Sequence, residues 1–172
     1  MAVLSFVLSI TGLISMITAS LLKGKNMRKI LVLVFLGNTL VATSYLIDQN
    51  ANGAASCYIG AAQTIINYFF ESKNKKLPIW LIIAYSAAFV VINLMVFTEF
   101  VDIMAIIASL TFIMCIGQKN GRKYRIWTLI NMILWSSYDI IKGSYAPLVT
   151  HAIMLAFNVV GMIIHDTKKK KA

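Results

Sequence analysis

Asn131, Trp135 and Tyr138 follow one another at steps of four and three residues, which puts all three on one face of a helix. An amide that both donates and accepts, a flat indole and a phenol suit the holding of a small polar or ring-bearing solute. Asn38 and Tyr45 repeat the first and last of these positions earlier in the chain, with Ala42 where the indole stands. Asn67 and Asn158 add two more amides, and Gln63 lies one turn before Asn67 on the same face. Two ionisable side chains, Asp139 and His151, lie close by in the sequence pattern. Histidine titrates near neutral pH, so this pair can gate a path or carry a proton. No nucleophile–base spacing, metal cluster or cofactor motif accompanies these residues, so the chain reads as neither an enzyme nor a metal or cofactor carrier.

The elements that position them must lie in lipid. The chain has 172 residues, 59% hydrophobic and 13% charged, with a mean hydropathy of +0.80. Soluble domains average about 45–50% apolar and about 25% charged. The apolar residues fall into runs at 2–22, 30–47, 54–70, 78–97, 101–116, 126–141 and 146–164. Each approaches the ~20 residues that cross ~30 Å of hydrocarbon as a helix, the fifth and sixth being short. A membrane barrel would instead show ~10-residue alternating strands, and an open sheet would leave backbone groups unsatisfied. The expectation is an all-α protein of seven transmembrane helices. Gly53, Gly121 and Gly143 mark turns, residues 50–53 read as a tight connection, Pro78 opens the fourth span and Pro147 lies near the start of the seventh.

The net charge of +10 does not point to nucleic acid, because the cations sit in short clusters between apolar runs. Alternate connections and the tail hold 15 of the 16 Lys and Arg, Arg125 and the run Lys168 to Lys171 among them. The others hold Lys142 with Asp48, Glu99 and Asp102. The positive-inside rule therefore puts the C-terminus in the cytoplasm and the N-terminus outside. Lys168 to Lys171 suit anionic lipid. The first span has cations after its apolar run and none before it, unlike a signal peptide. Cys57 and Cys115 fall at opposite ends of their spans, roughly 20 Å apart and beyond the reach of a disulfide, so both read as small apolar residues.

Within lipid each polar candidate has a plainer role beside the functional one. Asparagine also bridges helices, and Tyr45 and Tyr138 also suit anchoring at the interface. Asp139 can reach outer headgroups while His151 bonds a backbone carbonyl. Asn93, alone in the fourth span, reads as a bridge to a neighbouring helix.

The sequence also repeats itself. Lys25-Asn26-Met27-Arg28-Lys29 returns 94 residues later as Lys119-Asn120-Gly121-Arg122-Lys123. Asn38, Ser44 and Tyr45 return as Asn131, Ser137 and Tyr138 at an offset of 93, and Asn67 returns as Asn158 at 91. Ser15 and Ser109 extend the match backwards. Two three-helix units, 1–76 and 101–172, joined by a linker span in 77–100, account for this as a 3+1+3 parallel repeat. Such repeats place a substrate site at the repeat interface near the midplane.

This plan resembles that of the SWEET sugar transporters and their PQ-loop relatives. The stretch from Val101 to Asp166 is more similar to the bacterial inner-membrane YgjV family, through Val101-Asp102, the Gly-Arg-Lys turn, Trp135, Gly143-Ser144 and Asn158. That resemblance implies a multi-pass protein of the bacterial cytoplasmic membrane without an established activity. Trp135-x-x-Tyr138 resembles the sugar transporters' substrate-facing Trp and outer-gate Tyr, and Pro147 one turn before His151 resembles their last-helix pattern. His151 stands where that family carries Asn, Ala42 where it carries Trp, Gly60 opposite His151, and neither half has a Pro-Gln motif. The site is therefore expected to weigh on the second half.

The resulting expectation is a small-solute transporter using alternating access. Asn38, Asn67, Asn131, Trp135, His151 and Asn158 would bind solute, and Tyr45, Tyr138 and Asp139 would form an outer gate. The alternative is a membrane receptor, assembly or regulatory protein that moves nothing.

Overall fold

A computed structural model describes residues 2–47, 51–95, 97, 99–143 and 145–166. Among these the chain is helical, without strands: α1 Ala2–Leu21, a short 3-10 turn Gly24–Asn26, α2 Met27–Ile47, α3 Ala51–Ser72, α4 Ile79–Met95, α5 Asp102–Ile116, α6 Gly121–Lys142 and α7 Tyr145–Asp166. Seven helices stand where seven apolar runs were expected. Three segments, Val3–Leu21, Gly24–Ile47 and Leu148–Asp166, are long and apolar enough to cross a membrane, while α4 and α5 are apolar but shorter. The polar residues that dilute α3 and α6, such as Gln63, Asn67, Asn131 and Asp139, are largely buried. Their outward faces are apolar instead: Phe69, Ile133, Ile140 and Ile141 are exposed, as are Phe6, Ile14, Trp80 and Ile163 on other helices. That inversion of a water-soluble surface is what a lipid solvent selects.

The ends of the helices follow local chemistry, with two departures from expectation. Gly143 closes α6 in the left-handed conformation, φ 68°, its N–H on the carbonyls of Asp139 and Ile140, as a turn glycine should. Gly121 is not a turn residue: Asn120 caps the helix through the Arg122 N–H, and Gly121 is its first residue. A side chain there would strike the Gly24 backbone, so the glycine serves close approach. Residues 51–53 are likewise the first turn of α3 rather than a connection. Asp48, Ser144 and Lys168 to Lys171 lie outside the described residues.

Consecutive helices pack within 2–72 and within 102–166, α4 rests against α3 and α5, and α1 meets α7. At the end that carries the basic connections, Ala19, Ile30, Leu31, Val34, Ile116 and Tyr124 form one buried cluster. Leu81, Tyr85 and Phe89 of α4 form another with Ile113 of α5. Asn93 joins α4 to α5 through Ser109, 3.3 Å, besides bonding the Phe89 carbonyl at 2.8 Å, the bridging role expected of it. Both cysteines are free. Cys115 is more than an apolar filler, because its Sγ lies 2.9 Å from the Thr128 hydroxyl and joins α5 to α6.

Candidate functional site

At the end opposite the basic connections, α5, α6 and α7 bring five side chains into one chain of contacts. Asp139 is buried on α6, and its Oδ2 lies 2.6 Å from Nδ1 of His151 on α7. The His151 ring lies nearly parallel to Trp135, with centroids 5.8 Å apart and planes at 21°. Tyr138 meets the same indole edge-on at 5.7 Å and 88°. Its hydroxyl donates to Oδ1 of Asp102 at 3.1 Å, and the other oxygen of that carboxylate accepts from the Glu99 N–H at 2.9 Å. Asp102 stands in the first turn of α5, where its charge favours the helix dipole. Tyr45 lies near the end of α2 and is half-buried. Trp135, Tyr138, Asp139 and His151 thus stand together as the spacing predicts. His151 bonds a carboxylate rather than a backbone carbonyl. Asp102 is the member that sequence reasoning left as a connection charge; its place three residues after Glu99, at the head of a helix, was the available signal.

Deeper in the bundle the amides divide into two groups. Asn131 spends its amide nitrogen on α5, donating to the Ala108 carbonyl at 2.6 Å and the Thr111 hydroxyl at 2.9 Å. That is helix bridging. Asn67 donates to the Ile116 carbonyl at 3.1 Å and Asn158 to the Arg125 carbonyl at 2.8 Å, yet the Oδ1 of each is buried without a partner. Asn38 Nδ2, both polar atoms of Gln63 and the Ser136 hydroxyl are buried and unpartnered as well. Gly60 of α3 lies beside Asn38, and a methyl group there would meet its Nδ2 at an ordinary contact distance of 3.5 Å. All four repeat asparagines are buried, so in this conformation none faces an open crevice.

The basic end holds a residue that the sequence reading missed. Arg125 counts as one of the connection cations by position, but it lies in α6 and is only 1% exposed. Its Nε and Nη2 grip Asp166 at 2.9 and 2.7 Å, and its Nη1 donates to the Leu22 carbonyl at 3.0 Å. His165 Nε2 stands 2.7 Å from the Leu21 carbonyl. Leu22 and Ile116 are 94 residues apart, the offset of the basic repeat. Arg125 thus holds the Leu22 carbonyl just past the end of α1, and Asn67 holds the Ile116 carbonyl at the end of α5. The visible hint was an aspartate, Asp166, standing two residues before a run of lysines.

Among the described residues no group of three His, Cys, Asp or Glu side chains could hold a metal ion. A family described as Imp-YgjV, bacterial inner membrane protein, matches residues 5–169. No curated protein and no solved structure matches the chain.

Proposed function

Because the chain belongs to the Imp-YgjV family of bacterial inner membrane proteins, we propose that it carries a small polar or ring-bearing solute across that membrane by alternating access between two three-helix units. The observation that carries this reading is a group of buried polar atoms without partners in α2, α3, α6 and α7, namely Asn38 Nδ2, both ends of the Gln63 amide, Asn67 Oδ1, Asn158 Oδ1 and Ser136 Oγ; the Tyr85 hydroxyl of α4 is a further one. Each such atom costs about 1–3 kcal/mol when left unmade. A bundle that needed them only for cohesion would pair them, as it pairs the amide nitrogens of Asn67, Asn131 and Asn158. Donors and acceptors are both present and all are uncharged, which favours a neutral solute rich in hydroxyl or amide groups. Trp135, backed by His151, supplies a flat wall for a ring.

The 3+1+3 repeat gives the motion. Units 1–76 and 101–172, joined through 77–100, would rock about the polar interior. The matched closures at Leu22 and Ile116 support a conformation shut at the basic end. By the positive-inside rule that end is cytoplasmic. Tyr45, Tyr138 and Asp139 then form the outer gate. The resemblance to the SWEET and PQ-loop transporters belongs to this proposal.

Thermal unfolding across a library of neutral polyols, sugars and amides tests it. A solute at 100 times its Kd adds about 2.7 kcal/mol of stability. Trp135→Ala should abolish the shift while leaving the unliganded protein near wild type, since the indole is only partly buried. A Trp that served packing alone would cost about 3–5 kcal/mol on truncation. That loss, or a solute shift unchanged by Trp135→Ala, would move the site elsewhere. A bundle that no solute in the library stabilises would favour the receptor or assembly reading.

A further inference from the structure

The basic end carries two grooves. One, about 380 Å³, opens between α2 and α3 and is lined by Leu22, Arg28, Lys29, Val32, Leu33 and Tyr68. The other, about 330 Å³, opens between α6 and α7, with Arg122 and Asp166 at its rim and Leu129, Val159 and Met162 among its walls. Arg28 and Arg122 are 94 residues apart and Tyr68 and Val159 are 91 apart, the two offsets of the basic motif and of Asn67/Asn158. Two lining positions of the grooves thus correspond, with different charge around them.

In the first groove two cations stand over apolar walls. Arg28 uses one nitrogen on the Ser72 carbonyl at 3.1 Å, Lys29 is exposed, and the exposed Lys73, Lys75 and Lys76 follow Ser72. Beside them Val32, Leu33 and Tyr68 supply a largely apolar wall. In the second groove Arg122 is the one cation among the lining residues, and Asp166 there is already held by Arg125.

We propose that the α2–α3 groove is a binding site for an anionic phospholipid. The phosphate and the anionic headgroup sit on Arg28 and Lys29, and one acyl chain runs along Val32, Leu33 and Tyr68. Charge complementarity selects this occupant: a zwitterionic lipid fits the walls equally well but brings no net charge to the two cations. The α6–α7 groove has one lining cation in place of two and retains it more weakly. This site is separate from the solute path and stands whether or not the protein transports.

Native mass spectrometry of the full chain in detergent, titrated with phosphatidylglycerol or with phosphatidylcholine of the same chains, tests the site. One phosphatidylglycerol should be retained per chain in preference to phosphatidylcholine. Arg28→Gln/Lys29→Gln should weaken its retention about 30-fold, from roughly a fivefold loss per cation. Both residues are exposed, so the fold should survive. Arg122→Gln should change nothing. Val32→Trp, which fills the groove and keeps the cations, should also reduce retention. Equal retention of both lipids, retention unaffected by the double variant, displacement by inorganic phosphate alone, or an equal effect of Arg122→Gln would each overturn the assignment.

Discussion

Arg125→Gln is expected to destabilise the protein by about 3–5 kcal/mol, the range for removing one partner of a buried ion pair. The guanidinium makes three directed bonds at once, two on Asp166 and one on the Leu22 carbonyl, and is almost wholly sealed from solvent. Glutamine is shorter, uncharged and unable to form the two-pronged grip. Asp166 is left charged and largely buried, and a carbonyl at the end of α1 loses its donor. The apolar pair Arg125→Met/Asp166→Leu should recover most of the loss, because replacing both ions avoids the uncompensated charge. Denaturant or thermal unfolding in detergent measures both. A single-variant cost below about 1 kcal/mol would mean that the pair behaves like an exposed one.

Gly161→Ala sets two effects of opposite sign against each other. In the middle of a helix, alanine is favoured over glycine by about 0.5–1 kcal/mol. Yet a methyl group at Gly161 would overlap the Ser20 carbonyl oxygen of α1 and stand 3.4 Å from Cδ of Arg125. The obstacle is backbone, so α1 and α7 must part, and overpacking of that kind costs about 1–3 kcal/mol. The clash outweighs the propensity, and net destabilisation is expected. Small residues at helix contacts in membranes act in this way. Gly60→Ala is the control: its nearest neighbour would be a ring carbon of Phe112 at 3.2 Å, which can turn aside. Equal effects of the two variants on unfolding would refute the close contact of α1 with α7.

Hydropathy made the seven helices legible, because a run of apolar side chains in lipid leaves no other backbone solution. The Trp135–Tyr138–Asp139 cluster was legible too, since helical periodicity fixes which side chains share a face. His151 required the pairing of α6 with α7, which Gly143 and its short turn supplied. What could not be read was the partner of each amide. Asn131 and Asn158 look alike in sequence, yet Asn131 gives its nitrogen to a carbonyl and a hydroxyl on α5, whereas Asn158 gives its nitrogen to a carbonyl of α6 and has a buried, unpartnered oxygen. That difference depends on side-chain rotamers and on which helix lies opposite. Arg125 was hidden for a related reason. Charge counting assigns a cation to a connection, while its burial depends on Asp166, 41 residues away.

Accessibility of residue 158 tests alternating access most directly, because this position is wholly buried here. The measurement places Asn158→Cys in a chain without Cys57 and Cys115 and labels it with a membrane-impermeant maleimide in vesicles of either orientation. Lys119→Cys and Lys142→Cys serve as markers of the two sides and should label from the cytoplasm and from outside, respectively. In the parent, residue 158 should react slowly from the cytoplasmic side. Arg125→Met/Asp166→Leu, which removes the clasp on α1 while sparing the fold, should speed that reaction several-fold and slow labelling from outside. If residue 158 stays unreactive from both sides with the clasp intact or removed, while the markers label as expected, the polar interior is not a path and the transport account fails.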